Sequence, residues 1–280
     1  MKGPVIAIIG GKGVMGREFG RILKNAKADI LTVDLGTSLT LEQAAERADI
    51  IFFATPISLT PDLIRRLKGH IKHGSLITDI TSLKVPVMQA MREVATIKTE
   101  LLGMHPLFGP SVVSNMKNQV IAMCPEGSGQ WTRWITTVFQ KQGAVMQKTT
   151  AEKHDSIMAI IQGITHFSAI ASGIALRELG VDLQETLKFA SPIYDLRFAM
   201  IGRILSQSPQ LYADIEIQNP HTLKAVKAYQ EAIEELSKAV AKKDTTAFKK
   251  LFSEAAKYMG DFKEKAQKKT DAVIRKMSEK

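Results

Sequence analysis

The chain has 280 residues, of which 45% are hydrophobic and 24% are charged, which excludes a disordered tail and leaves room for two domains. The single cysteine, Cys124, excludes an intrachain disulfide and a cysteine-rich zinc site. The start of the sequence shows no apolar run followed by a small-residue cleavage site. We therefore expect a cytoplasmic protein.

The net charge of +10 admits nucleic acid, an anionic membrane or acidic small molecules as partners. Residues 1–150 hold 18 basic and 11 acidic residues, 151–240 hold 8 and 11, and 241–280 hold 12 and 6. Because the excess is divided between two regions, it favours anionic small molecules, with no nucleic-acid partner. The Lys-rich segment 242–280 keeps apolar residues at helical spacing and is predicted to be a packed amphipathic helix. The apolar run Ile157 to Leu176 is interrupted by polar residues that include Gln162, Thr165, His166 and Ser168, so we expect a buried helix and no membrane span.

Short aliphatic runs alternate with amphipathic segments in the first half and predict a parallel, doubly wound α/β sheet. The predicted strands are Val5–Ile9, Ile30–Asp34, Ile50–Ala54, Leu76–Asp79, Leu101–His105 and Val120–Cys124. After about residue 147 the spacing becomes helical throughout. The predicted helices are Ala151–Leu179, Leu183–Ser206, Ser208–Ile217, His221–Lys242 and Thr245–Met277. We expect a cofactor-binding domain at 1–150 and an all-helical domain at 151–280.

A glycine-rich turn follows the first predicted strand and opens a helix. Gly11, Gly13 and Gly16 form the G-x-G-x-x-G pattern of Rossmann-type dinucleotide-binding domains. Asp34 ends the second strand near the spacing expected for the acid that binds the ribose hydroxyls. No arginine follows it to receive a 2′-phosphate, which favours NAD over NADP. The predicted contacts at this turn are Gly11, Gly13, Val14, Met15, Gly16 and Asp34.

Polar residues also follow later strands, where the carboxyl ends of parallel strands line a ligand crevice. Thr55 and Pro56 end the third strand and are predicted to cover the nicotinamide ribose. Ser82 and Lys84 follow the fourth strand and are site candidates, although this turn also suits a helix N-cap. His105 ends the fifth strand, where an imidazole can accept a proton near neutral pH or make a structural hydrogen bond.

The helical half offers three further candidates. His166 lies in an apolar helix, where it is either a core histidine or a pocket residue. Arg203 places a permanently charged guanidinium in an apolar stretch, and its burial would demand an acidic partner or a substrate carboxylate. Arg197 competes for that role. His70 and His73 have a spacing that suits a metal, but no third ligand is evident, so we predict no metal site.

The motifs together resemble the prephenate dehydrogenases of tyrosine biosynthesis over almost the whole chain. They look most similar to the dehydrogenase part of the bacterial enzymes that are fused to chorismate mutase. Because the sequence starts at the nucleotide-binding region, we expect a chain without the mutase. The motifs are the segments 10–16, 78–84, 105–110, 162–167, 199–203 and 212–215.

This resemblance implies NAD-dependent oxidative decarboxylation of prephenate to 4-hydroxyphenylpyruvate. It implies that His105 accepts the ring-hydroxyl proton, that Ser82 orients His105, that Arg203 binds a substrate carboxylate and that His166 lies in the substrate pocket. It also implies a homodimer formed through the helical domain. The alternatives are an arogenate dehydrogenase, another two-domain NAD(P)-dependent dehydrogenase, and a basic NAD-sensing or nucleic-acid-binding protein.

Overall fold

The structure is a computed structural model that describes residues 3–279. The chain forms two compact units. Unit 1 comprises Met1–Met158 and Ala213–Asn219, and unit 2 comprises Ala159–Tyr212 and Pro220–Lys280. The α/β architecture followed by a helical region confirms the predicted fold class.

Unit 1 contains a seven-stranded sheet with the strand order β2-β1-β3-β4-β5-β6-β7. All neighbouring strands are parallel except β5 and β6, which are antiparallel. The prediction of a wholly parallel sheet is therefore wrong at β6. The connection from β5 to β6 contains a single 3-10 turn, Pro110–Val112, in place of the crossover helix that a parallel return needs. The strands are β1 Val5–Ile9, β2 Asp29–Val33, β3 Ile50–Phe53, β4 Leu76–Asp79, β5 Glu100–Pro106, β6 Val120–Glu126 and β7 Val145–Lys148.

Helices cover both faces of the sheet, because successive strand residues point to opposite sides. Ile6 and Ile8 of β1 belong to one hydrophobic cluster, and Ala7 and Ile9 belong to a second. Phe19 of the first helix is fully buried in the first cluster, where its ring centroid lies 5.6 Å from that of Phe52. The helices of unit 1 are α1 Val14–Asn25, α2 Leu41–Arg47, α3 Thr60–Arg65, α4 Val85–Val94, α5 Gln130–Lys141 and α6 Ala151–Met158.

Unit 2 is helical, and three of the predicted helices are divided in the structure. The predicted helix Leu183–Ser206 consists of two helices, Leu183–Leu187 and Pro192–Leu205. A π-helical segment, Ala159–Ile164, separates α6 from α7, and Gly260 with φ +50° ends α12 within the predicted helix Thr245–Met277. The remaining helices are α7 Thr165–Glu178, α8 Leu183–Leu187, α9 Pro192–Leu205, α10 Pro209–Gln218, α11 Thr222–Ala241, α12 Thr245–Met259 and α13 Phe262–Ser278. Helix α10 begins in unit 2 and ends in unit 1.

The helical run Ala151–Glu178 is long and apolar enough to cross a membrane by length and composition alone. Its first helix, however, carries the buried side chains His154 and Asp155, which are hydrogen-bonded within unit 1. Buried, partnered polar groups of this kind are typical of a helix packed in a protein core.

Candidate active site

The turn between β1 and α1 can be built only with glycine at two positions. Gly10 has φ +82°, and a Cβ there would lie 2.5 Å from the carbonyl oxygen of Ala54. A Cβ on Gly16 would lie 2.2 Å from the carbonyl oxygen of Gly10. Gly10 was not among the predicted contacts, although it is the residue with the left-handed conformation that L side chains rarely adopt.

The outer side of the same turn has room for a ligand. Among the described atoms, a Cβ on Gly13 would approach only the Gly10 carbonyl oxygen, at 3.2 Å. Gly13 is the N-cap of α1 and has no side chain with which to cap the helix. The first N–H groups of α1 lack partners within the helix and lie at its positive dipole end. These features together suit a pyrophosphate.

The carboxylate of Asp34 is fixed beside this turn. Its Oδ2 accepts a hydrogen bond from the backbone N–H of Lys12 at 2.7 Å, and its Oδ1 accepts one from the N–H of Leu35 at 2.8 Å. The side chain follows β2 and is half-buried. A carboxylate here can accept hydrogen bonds from ribose hydroxyls and would repel a 2′-phosphate.

The loop after β3 packs against the glycine turn. The Cγ2 of Thr55 lies 3.0 Å from the position that a Cβ on Gly10 would take. The hydroxyl of Thr60 donates to the Pro56 carbonyl oxygen at 2.8 Å, and its oxygen lies 2.7 Å from that of Thr55. Thr55 and Pro56 are thus held in one rigid loop next to the turn.

Lys84, a site candidate from the sequence, has a fully buried side chain with its partners inside unit 1. Its side chain is 0% exposed, and its Nζ donates to Asp79 Oδ2, to the Met104 carbonyl oxygen at 2.6 Å and to Thr81 Oγ1 at 3.3 Å. An ammonium has three donors, so these three partners use all of them. Ser82 lies in the same turn and is half-buried.

His105 lies near the end of β5 and is 3% exposed. Its Nδ1 lies 3.0 Å from Nε2 of His154, whose Nδ1 lies 2.7 Å from Oδ1 of Asp155. His154 and Asp155 are both buried on α6. The sequence analysis assigned them no role. Their signal was the spacing of Ala151, His154, Asp155 and Met158, which places all four on one helix face.

Three other polar side chains belong to unit 2. The ring of His166 lies 4.7 Å from that of Tyr212, at an interplanar angle of 77°. Burial raises the pKa of Tyr212, and the charge of Arg203 opposes that rise. Gln162, one turn before His166 in the π-helical segment, has a buried Oε1 with no hydrogen-bond partner among the described residues. Single-turn π segments are frequent at functional sites.

The structure shows where the side chain of Arg203 lies in the single chain. Arg203 is exposed, and α9 has no buried residue although most of its side chains are apolar. The apolar stretch around the arginine is only partly covered by the chain's own fold, and Met200 and Leu205 are exposed. Its proposed contact with a substrate carboxylate does not depend on burial and stays a prediction.

Two other kinds of reactive group can be assessed from the described part of the chain. Residues 3–279 contain no group of three or more His, Cys, Asp or Glu side chains arranged to hold a metal ion. Burial raises the pKa of the Cys124 thiol to about 12, so it is protonated at neutral pH and is a poor nucleophile.

The doubly wound sheet, the glycine turn at its first strand–helix junction and the acid at the end of β2 define a Rossmann-type, dinucleotide-binding domain. Residues 12–148 match the family model described as prephenate dehydrogenase, nucleotide-binding domain, and residues 150–254 match the one described as prephenate dehydrogenase, dimerization domain. The chain belongs to the prephenate dehydrogenase family, which confirms the resemblance seen in the sequence.

Two relatives in the comparison are similar to most of this chain, and the name of the first includes two substrates. A "probable arogenate/prephenate dehydrogenase" of Methanocaldococcus jannaschii is 38% identical over 272 residues, which cover 91% of this chain and 61% of the relative. The T-protein of Haemophilus influenzae is 31% identical over 274 residues, which cover 98% of this chain and 72% of the relative. The chain thus spans less than two thirds of the first relative's length.

A crystal structure of prephenate dehydrogenase from A. aeolicus, in complex with hydroxyphenyl propionate and NAD+, has the same fold. Its TM-score is 0.73 at 16% identity, and the match covers 94% of this chain and 99% of that one.

Proposed function

We propose that this chain is a cytoplasmic dehydrogenase that converts prephenate, with NAD, to 4-hydroxyphenylpyruvate, carbon dioxide and NADH. The observation that carries this proposal is His105, a buried imidazole at the carboxyl end of a strand in the sheet that bears the glycine turn. Family membership suggests the substrate. Residues 1–150 would bind the cofactor, and residues 151–280 would supply substrate contacts and the dimer interface.

NAD fits the residues of unit 1 better than NADP. Gly13 leaves room above the first turn of α1 for a pyrophosphate, with the N–H groups of Val14, Met15 and Gly16 at the helix N-terminus. Gly11 lies within the same turn, and Thr55 and Pro56 lie in the loop packed against it. Asp34 supports a ribose with a 2′-hydroxyl, because a second anion beside this carboxylate would be repelled.

NAD held at the glycine turn would supply the acceptor for the hydride from the ring carbon that carries the substrate hydroxyl. His105 accepts the proton of that hydroxyl, and its burial keeps competing water away from the reacting atoms. The family resemblance suggests that Ser82, in the turn after β4, would help to hold the imidazole in place. Loss of the ring carboxylate as carbon dioxide makes the ring aromatic, so positioning, one base and charge complementarity are sufficient.

The helical unit would hold the rest of the substrate and a second copy of the chain. Arg203 would form a bidentate pair with one substrate carboxylate, and His166 would line the pocket beside Tyr212. Support for a homodimer comes from the family model for residues 150–254 and from the exposed apolar side chains of α9. We assign no nucleic-acid or membrane partner.

Arogenate is the alternative substrate, because the name of the Methanocaldococcus jannaschii relative includes both arogenate and prephenate. The test offers prephenate and arogenate separately to the purified chain, each with NAD and with NADP, and follows formation of the reduced cofactor. We expect the highest kcat/KM with prephenate and NAD. A preference for arogenate would overturn the substrate assignment, and a preference for NADP would overturn the role of Asp34.

A further inference from the structure

We propose that His154 and Asp155 are positioning residues that fix the protonation of the His105 imidazole, leaving its Nε2 as the proton acceptor. The catalytic part of this inference rests on the proposed function, in which His105 is the general base. The pairing itself is a property of unit 1, because all three side chains are buried there and form one chain of contacts.

Both carboxylate oxygens of Asp155 accept hydrogen bonds from backbone N–H groups. Its Oδ1 accepts from the backbone N–H of Lys84 at 2.8 Å, and its Oδ2 accepts from the N–H of Val85 at 2.9 Å. These N–H groups lie at the start of α4, whose positive dipole end stabilises an ionised carboxylate. An ionised carboxylate has no proton to donate, so the contact with His154 requires the proton on His154 Nδ1.

This requirement passes along the chain of contacts to His105. A neutral His154 with its proton on Nδ1 has a lone pair on Nε2, 3.0 Å from His105 Nδ1. His105 then donates from Nδ1, and its Nε2 carries the lone pair that a general base needs. The ring centroids lie 5.1 Å apart at 68°, an edge-on arrangement that a nitrogen-to-nitrogen hydrogen bond between two imidazoles allows.

The same contacts accommodate the charge that catalysis creates. When Nε2 of His105 takes the hydroxyl proton, the ring becomes an imidazolium whose Nδ1–H still donates to His154. That Nδ1 proton can move to His154 Nε2, which leaves His105 neutral and pairs a His154 imidazolium with the Asp155 carboxylate. Burial excludes solvent from all three groups, so these electrostatic interactions are little screened.

The alternative is that His154 and Asp155 have a purely structural role and only hold α6 against the sheet. Asp155 certainly has such a part, because it binds the start of α4, and the amide of Asn219 donates to its backbone oxygen at 2.8 Å. The substitutions are therefore made at His154. The measurements are the tautomer of His105 and kcat, which a purely structural role of His154 would leave unchanged.

The first measurement is the ¹⁵N spectrum of histidine-labelled wild-type protein, with the His105 signals assigned from the His105→Asn variant. We expect the proton of neutral His105 on Nδ1. In His154→Phe, which removes the acceptor, we expect it to move to Nε2, the form that free histidine favours. A wild-type His105 with its proton on Nε2, or a tautomer that does not respond to the variant, would overturn the proposal.

Steady-state kinetics provide the second measurement. We expect His154→Phe to lower kcat by about 10–100-fold, the usual cost of losing a group that orients a reactive residue, with KM for NAD nearly unchanged. His154→Gln should restore part of kcat, because its amide oxygen can accept from His105. His73→Phe, at an exposed histidine of the same unit, is the matched control and should keep wild-type kcat.

Wild-type kcat in His154→Phe would overturn the proposed role. If the wild-type chain turns over neither prephenate nor arogenate, the proposed function fails. The ¹⁵N comparison still decides the pairing in that case, because it needs no substrate, and its wild-type arm does not depend on the folding of the His154 variant.

Discussion

Substitution by alanine at two glycines of the β1–α1 turn should have different effects. We expect Gly16→Ala to lower Tm and Gly13→Ala to raise KM for NAD. In Gly16→Ala the new Cβ would lie 2.2 Å from the Gly10 carbonyl oxygen and 2.9 Å from Gly11 Cα, both backbone atoms. Relief requires α1 to move by roughly 1 Å, an overpacking that costs about 1–3 kcal/mol. At about 2–4 °C per kcal/mol for a unit of this size, Tm should fall by about 2–12 °C.

Gly13→Ala is the matched variant with the opposite expectation. Its Cβ meets one carbonyl oxygen at 3.2 Å, so the loss of stability should stay below about 1 kcal/mol. The same methyl group occupies the space where the pyrophosphate would approach, and we expect KM for NAD to rise about tenfold, equivalent to about 1.4 kcal/mol.

Thermal unfolding without ligand and initial rates at varied NAD separate the two effects. An unchanged Tm in Gly16→Ala would refute the packing argument. An unchanged KM for NAD in Gly13→Ala would refute the assignment of this turn to the cofactor.

Four further substitutions test the other residues. His105→Asn should retain the fold and NAD binding but lose about 10²–10⁴-fold in kcat, and near wild-type kcat would remove the general-base role. Arg203→Gln should raise KM for prephenate by about tenfold or more, since a charged hydrogen bond contributes about 1.5–3 kcal/mol, and an unchanged KM would move the contact to Arg197. Asp34→Asn should raise the ratio of kcat/KM for NADP to that for NAD, and a constant ratio would show that the carboxylate does not select the cofactor. Lys84→Met should destabilise the protein by about 3–5 kcal/mol in urea unfolding, because it leaves Asp79 buried without its cation, and a loss below about 1 kcal/mol would contradict the structural role.

The sheet was predictable where burial is complete. Strands β1 and β3 lie inside the sheet and are continuous apolar runs, which the sequence shows directly. Strand β7 is a short, largely exposed edge strand, so its composition carries no such signal. The direction of β6 depends on how the chain returns from β5, which strand composition does not encode.

The helices of the second half show a similar limit. Their apolar spacing is visible in the sequence, but it continues past Gly260 and past the π-helical segment Ala159–Ile164. A single glycine costs a helix only about 1 kcal/mol, so tertiary packing decides whether the helix ends there.

Some features of the candidate site are local in sequence and could be predicted, whereas others depend on contacts between residues that are far apart in sequence. The glycine turn and the distance along the chain to Asp34 are local patterns, and both could be identified from the sequence. The contact between His105 and His154 joins residues 49 positions apart, and the contact between Lys84 and Asp155 joins residues 71 apart. Only the fold brings these pairs together, so the sequence alone indicated no role for His154 or Asp155.

The most direct test of the central claim is the stoichiometry of products from prephenate and NAD. The account predicts equimolar NADH, carbon dioxide and 4-hydroxyphenylpyruvate from the wild-type chain, with all three falling together in His105→Asn. Reduction of NAD without release of carbon dioxide, or products formed from arogenate and not from prephenate, would contradict it.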